Sequence, residues 1–415
     1  MATARAEPVG GKFLTPLFKV LLVVWALGTA AGIARFALGL GAVTAMNDGY
    51  PWGIWIAIDV VVGTALGSGG FAVALLVYVL NRGRFHPLVR PALLTSALGY
   101  TAGATAIVFD VGRYWNLWRV PVAPLVSGGR FGWNWNSGLL EVALCVMAYT
   151  AVLWIEAAPP VLETYRDGRP GPLRVLASAA LSGLEKALPV VLALGLVLPM
   201  MHQSTLGSLF LVATTKLHPL WHTPLLPLLF LLSCVGMGYA AVMVEAGLSA
   251  HAFRRPLETR LLSRLGVFVA GVIAAFLVVR FGGLLAAGRA GLLFGSGVQS
   301  FFFWVEILLL AAAAWLFLRQ RVRAHAPGQL QAALLALFGA SIYRIDAFLT
   351  GFNPGQNWVY FPSLAEICVT LGLVASETMA YVCLVRKFPI LAGVSAPASS
   401  TRTAPVGAAH QGVPS

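Results

Sequence analysis

Charge is scarce in this 415-residue chain: Asp, Glu, Lys and Arg together make up 10% of it, against 59% hydrophobic residues. So little charge cannot clothe a soluble surface of this size, and lipid is the solvent that remains. Cysteine is scarce as well. Cys145, Cys234, Cys368 and Cys383 all fall inside apolar runs, with no C-x-x-C, no C-x-x-C-H and no Cys/His ligand spacing. The expectation is four small core residues and no iron-sulfur cluster, c-type haem or metal site in this chain. Walker A, G-x-G-x-x-G and G-x-S-x-G motifs are missing too, so nucleotide use and nucleophilic hydrolysis have no support. The net charge of +13 sits beside apolar runs rather than in a Lys/Arg stripe with interleaved aromatics. It is expected to anchor the chain against anionic lipid headgroups and not to bind nucleic acid.

What the chain has in abundance is long apolar runs. At roughly 20 residues per crossing, spans are predicted near 17–40, 52–79, 88–111, 138–158, 178–201, 224–246, 263–281, 299–319, 329–350 and 363–385. The fold class expected is therefore an all-α integral membrane protein, a bundle of about ten transmembrane helices forming one domain over 14–388. Residues 1–13 and 389–415, rich in Pro, Ala, Ser and Gly, are expected to be disordered tails. No internal repeat is evident.

The distribution of Lys and Arg orients the bundle. One side collects Arg5, Lys12, Lys19, Arg82, Arg84, Arg90, Arg166, Arg169, Arg174, Lys186, Arg254, Arg255, Arg260, Arg264, Arg319, Arg321, Arg323, Arg386, Lys387 and Arg402. The other receives only Arg113, Arg119, Arg130, Lys216, Arg280 and Arg289. This asymmetry predicts both termini in the cytoplasm and an even number of spans. The outer loops, among them RYWNLWRVPVAPLVSGGRFGWNWNSG and FNPGQNWVYFP, combine Trp, Asn, Gly and Pro. An interfacial tryptophan belt and a docking surface both have this composition.

Ionisable residues inside a membrane are costly, so each is a functional candidate weighed against structural pairing. Arg35, Asp59, Asp110, Glu141, His202, Glu306, Arg344, Asp346 and Glu366 fall in the outer third of the predicted spans, with Glu156, Glu245 and Glu377 further in. Arg35 is expected to neutralise Asp59 or Asp346, and Asp110 to pair locally with Arg113. Glu141 and Glu245 have no basic residue three or four positions away, which means protonation or a tertiary contact and suits proton transfer. His202, opening HQSTLGS after an apolar run, is placed at a helix end, where it is either a solvated group or a hydrogen-bond partner for a quinone carbonyl. All seven histidines are read as lying at span ends, in loops or in the tail, so no haem is expected.

The strings NDGYPWGIWIAIDVVVGTALGSGGF, WNWNSGLLEVALCVMAYT, LPMMHQSTLGSL and GMGYAAVMVE resemble the NrfD-type membrane subunits, and among them the HybB-type subunit of periplasm-facing uptake nickel-iron hydrogenases. The resemblance covers nearly all ten spans. It implies a multi-pass subunit of the bacterial inner membrane that binds quinone (menaquinone or ubiquinone) as substrate. It also implies electrons from a periplasmic ferredoxin-like iron-sulfur subunit, with hydrogenase large and small subunits behind it. By the same resemblance Glu141, His202 and Glu245 are the proton-transfer residues, and His202, Asp59, Glu141 and Tyr100 the quinone-binding ones. The residues by themselves leave two alternatives open: a secondary transporter with buried carboxylates as coupling sites, and a passive membrane anchor of an oxidoreductase.

Overall fold

The computed structural model describes residues 6–123, 132–168, 170–212 and 215–391. Residues 1–5 and 392–415 of the expected tails, the centre of the aromatic loop, and Arg5, Arg130, Arg169, Arg402 and His410 lie outside them. Among the described residues, ten helices are long and apolar enough to cross a membrane: α1 (Pro16–Leu38), α2 (Trp55–Val79), α3 (Gly83–Asp110), α4 (Gly138–Arg166), α5 (Pro172–Val212), α6 (Leu226–Ala252), α7 (Thr259–Ala286), α8 (Val298–Leu318), α9 (Ala326–Thr350) and α10 (Leu364–Lys387). The ten predicted spans each fall on one of these.

Helix starts follow local chemistry. Thr15 caps α1 by accepting from the Phe18 amide at 3.2 Å, with Pro16 in the first turn, where its missing N–H costs nothing. Ser363 and Glu366 form a reciprocal capping box on α10. Glu366 also accepts from the Ala45 amide and the Tyr360 hydroxyl, so this buried acid fastens the outer loops to the bundle.

Packing places α2 at the centre, against α3 and α6, while α4 pairs with α5, α6 with α5, α7 and α9, and α8 with α7 and α9. α1 and α10 pair with one another and lean on α3. The backbone amides of Glu7, Val9 and Gly10 bond to carbonyls of Leu391, Val385 and Arg386, which brings the N-terminal segment to the C-terminal end of α10. At the opposite end an antiparallel bridge, Leu217 to Phe352, joins two loops.

Several helices depart from regular geometry, among them α9, which ends in a π turn (Asp346–Thr350), and α3, which opens with a 3-10 segment (Gly83–Leu88). α2 runs as a π turn (Trp55–Val60), two short α segments (Gly63–Leu66 and Gly69–Ala74) and a second π turn (Leu75–Val79). Its sequence explains this: three successive valines and Gly63, Gly67, Gly69 and Gly70 have low helix propensity, and packing needs the glycines. A Cβ on Gly99 of α3 would stand 3.2 Å from the Gly67 Cα, so the two backbones touch. α5 extends over 41 residues with Pro189 and Pro199 inside it.

Four expectations are corrected here. His202 does not end a span: α5 continues past it to Val212, and its side chain is fully buried. The polar run HQST reads as a loop because the partners of His202, Gln203 and Thr205 are on other helices. Arg280, counted among the outer-side basic residues, lies within α7 and is buried against Glu306 of α8, with Arg280 Nη2 to Glu306 Oε1 at 2.8 Å. Arg35 reaches neither Asp59 nor Asp346; it donates to the carbonyls of Phe109 and Val111, both at 2.6 Å, closing the outer end of α3. Nor does an ion pair join Asp110 to Arg113 among the described residues.

Candidate functional site

The break in α2 leaves backbone carbonyls that its own helix does not take up, and polar side chains from three neighbours gather round it. Thr64 Oγ1 donates to the Val60 carbonyl at 2.5 Å. The same oxygen meets Gln203 Nε2 at 3.0 Å and His202 Nε2 at 3.3 Å, both from α5. On the α9 side, Arg344 donates to the carbonyls of Val61 and Phe230 and to Ser233 Oγ, at 2.8, 2.6 and 3.1 Å. Arg344 has no carboxylate partner among the described residues.

The hydroxyl of Thr64 carries one proton, and that proton lies on the Val60 carbonyl. Its oxygen therefore only accepts from Gln203 and His202, which puts the neutral imidazole proton on Nε2 and leaves Nδ1 as a lone-pair acceptor. His202 Nδ1 and Gln203 Oε1 are buried with no hydrogen-bond partner in the structure. Tyr100 of α3 completes the group: its ring stands 5.9 Å from the His202 ring and 4.6 Å, edge-on, from Tyr149, and its hydroxyl lies 3.5 Å from Gln203 Nε2. Two buried acceptors beside a phenol in an apolar bundle can bind a neutral ligand through hydroxyl or carbonyl oxygens and pass it a proton.

The predicted residues are distributed unevenly around this group. Tyr100 and His202 are brought together. Glu141 adjoins through Thr205, one turn beyond His202, whose hydroxyl donates to Glu141 Oε1 at 2.8 Å. Asp59 belongs to the first π turn of α2 but faces away, accepting from Thr370 of α10 at 2.7 Å. Glu245 is separate again, in a short hydrogen bond with Tyr381. Sequence reasoning missed Thr64; it singled out Arg344 as a buried charge without its partners, and Gln203 and Thr205 only as neighbours of His202 in HQSTLGS.

Outside the membrane-spanning helices, burial pushes the His218 imidazole below its usual value and the Tyr360 phenol above its own; the hydrogen bond from Tyr360 to Glu366 adds to the latter. His218 Nδ1 accepts from the Leu220 amide at 3.3 Å. On this face Trp115, Trp118, Trp135 and Phe361 are exposed.

The family model described as polysulphide reductase, NrfD, matches residues 42–353, which takes in α2 to α9 and leaves α1 and α10 outside. Over 393 residues, covering 93% of this chain and 95% of the relative, the sequence is 38% identical to the "probable Ni/Fe-hydrogenase 2 b-type cytochrome subunit" of Escherichia coli K12. It is 25% identical over 394 residues to the "menaquinone reductase, integral membrane subunit" of Nitratidesulfovibrio vulgaris Hildenborough, covering 89% of this chain and 90% of the relative. A selenate reductase subunit of Mesobacillus selenatarsenatis matches at 23% over 298 residues, covering 63% of this chain and 64% of the relative.

The first of these names corrects the expectation of no haem, since that relative is described as a b-type cytochrome. One premise of that expectation also fails on the structure, because His202 lies inside a helix and not at its end. The residues around it do not themselves form a haem site. Haem b in a helical bundle is commonly held by axial ligands from facing helices. His202 is the one histidine buried in the interior among the described residues, and Thr64, Gln203 and Tyr100 surround it. No group of three or more His, Cys, Asp or Glu side chains suited to a metal is found among the described residues.

Proposed function

The chain belongs to the NrfD family, and from that premise we propose that it is the quinone-reactive membrane subunit of a respiratory oxidoreductase. It passes electrons between a periplasmic iron-sulfur subunit, associated with a nickel-iron hydrogenase, and membrane quinone, with both termini in the cytoplasm. The relatives named as hydrogenase and menaquinone reductase subunits support this reading. The observation that carries it is the buried Thr64–His202–Gln203–Tyr100 group, with acceptor atoms at His202 Nδ1 and Gln203 Oε1 that no protein group engages.

In this reading a quinone takes two electrons from the partner and two protons to become the quinol. Tyr100 donates a hydrogen bond to a ring oxygen, and His202 exchanges a proton at Nδ1 while Thr64 holds Nε2–H in place. Glu141, through Thr205, exchanges protons with the same region. The buried guanidinium of Arg344 stabilises negative charge arising on the quinone during reduction. The exposed Trp115, Trp118 and Trp135 supply the aromatic surface on which the iron-sulfur partner docks.

The test is steady-state turnover of the assembled complex with hydrogen as donor. His202→Ala and Glu141→Gln are expected to lower quinone reduction by about 10²-fold or more, the scale of a general acid-base contribution. Hydrogen-dependent reduction of a viologen dye, which bypasses this subunit, stays at the parent rate. Parent-like quinone rates in both variants would refute the assignment.

A further inference from the structure

A cleft of about 480 Å³ lies between α1, α3 and α10, on the opposite side of α3 from the His202 group. Its size is within the range of about 300–1,000 Å³ usual for small-molecule sites. Trp25, Ile33 and Phe36 at its rim are exposed on the flank of the bundle, so it opens toward lipid. The close approach that closes one end is built by glycine: a Cβ on Gly28 would stand 2.6 Å from the Gly372 Cα. Both helices that form its outer walls, α1 and α10, fall outside the residues matched to the family.

The lining is almost wholly apolar, and three of its four hydroxyls are occupied within their own helices, Thr29 being the fourth. Thr101, Thr105 and Ser376 donate to the carbonyls of Ala97, Thr101 and Leu373 on their own helices. Glu377 is different. It also lines the cleft, and its carboxyl makes no hydrogen bond or ion pair among the described residues. It lies 13 residues after Leu364 and 10 before Lys387, hence about 15–20 Å from either end of α10 at 1.5 Å per residue. A carboxyl this deep in hydrocarbon is costly unless something engages it.

The ligand this chemistry selects has an apolar body, a long apolar tail and a single hydrogen-bonding atom at mid-depth. A phospholipid fits poorly, because its phosphate belongs at the interface and its acyl chains offer nothing to a carboxyl. We propose that the cleft is a lipid-facing binding site for prenylated quinone, in which the neutral Glu377 carboxyl donates a hydrogen bond to a ring oxygen. The proposal rests on the quinone reading above and adds a second station to it. Glu377 reaches α3 beside the Gly67–Gly99 contact: a Cβ on Gly99 would lie 3.5 Å from Glu377 Oε1, and the next residue, Tyr100, faces His202.

The experiment is photolabelling of the assembled complex, in nanodiscs of phosphatidylethanolamine and phosphatidylglycerol, with an azido-menaquinone, followed by peptide mapping. Labelling within 98–109 and 369–380 that excess menaquinone displaces is the expected result. Ala102→Phe, which fills the cleft, should abolish it; Glu377→Leu should lower it about tenfold, the loss of one buried hydrogen bond; Glu377→Gln, which still donates, should retain it. Displaceable labelling confined to peptides around Tyr100 and His202 overturns the cleft site and leaves the quinone function standing. Labelling of the cleft that phospholipid displaces and menaquinone does not makes it a lipid crevice and also overturns the proposal. No displaceable labelling anywhere refutes both the cleft and the function it rests on. Labelling that is equal in Glu377→Leu and the parent removes the carboxyl from the site.

Discussion

Thr64→Val is the most economical test of the polar group, because it removes a single hydroxyl and preserves the shape of the side chain. The hydroxyl accepts from two site residues at once, Gln203 at 3.0 Å and His202 at 3.3 Å, and is wholly buried. Without it, neither donor has its acceptor, the imidazole proton is no longer held on Nε2, and the ring is free to turn. Each net hydrogen bond is worth about 0.5–1.5 kcal/mol, so the orientation at stake is about 1–3 kcal/mol, or about 5- to 150-fold in kcat/KM for quinone. Thr64→Ser keeps the oxygen and should stay within about threefold of the parent, a difference of well under 1 kcal/mol. The assay is quinone reduction by the assembled complex, with dye reduction as the control on the electron donor. A Val variant within about twofold of the parent, or a Ser variant as slow as Val, would refute the claim that Thr64 positions His202.

The Arg280–Glu306 pair makes a stability prediction. Both side chains are buried, and Trp221 Nε1 also donates to Glu306 at 3.2 Å. Glu306→Leu leaves an unpaired buried guanidinium and should destabilise by about 3–5 kcal/mol, whereas the double variant Arg280→Met, Glu306→Leu should recover much of the loss; thermal unfolding in detergent followed by tryptophan fluorescence checks both. At the outer loops, His218 has a folded-state pKa below the usual 6.5 because burial disfavours its charged form. Its contribution to stability is therefore full above about pH 6.5 and is lost as pH falls below that, where the unfolded chain takes up the proton first. Protonation also removes the acceptor for the Leu220 amide, so hydrogen exchange at 217–222, corrected for intrinsic rate, should accelerate at pH 5.5 in the parent and not in His218→Gln.

The helices are legible in the sequence because crossing a membrane is a property of composition over about 20 residues, which needs no partner. The ends are less so. The fifth predicted span stops short at 201 because His202, Gln203, Ser204 and Thr205 look like solvent-facing residues, yet two of the four face other helices with no exposure at all. The same confusion counts Arg280 among the outer-side charges. Its charge looks topological until Glu306 stands against it. Of the carboxylates singled out, Glu141 does adjoin the polar group, whereas Asp59 and Glu245 are held elsewhere by Thr370 and Tyr381. Local spacing can exclude a partner three or four residues away; it cannot supply one on another helix.

By itself the amino-acid sequence determined that the chain is a ten-helix membrane bundle. It did so because hydrophobicity is summed over neighbours along the chain, and the Lys/Arg asymmetry is likewise counted loop by loop. Tertiary structure alone decided which polar groups meet. In a low-dielectric interior each must find a partner or remain costly, and the partners are chosen by where backbones can approach. The Gly67–Gly99 contact and the interruption of α2 bring Thr64 to His202, a residue 138 positions away. No pattern within one helix contains that information.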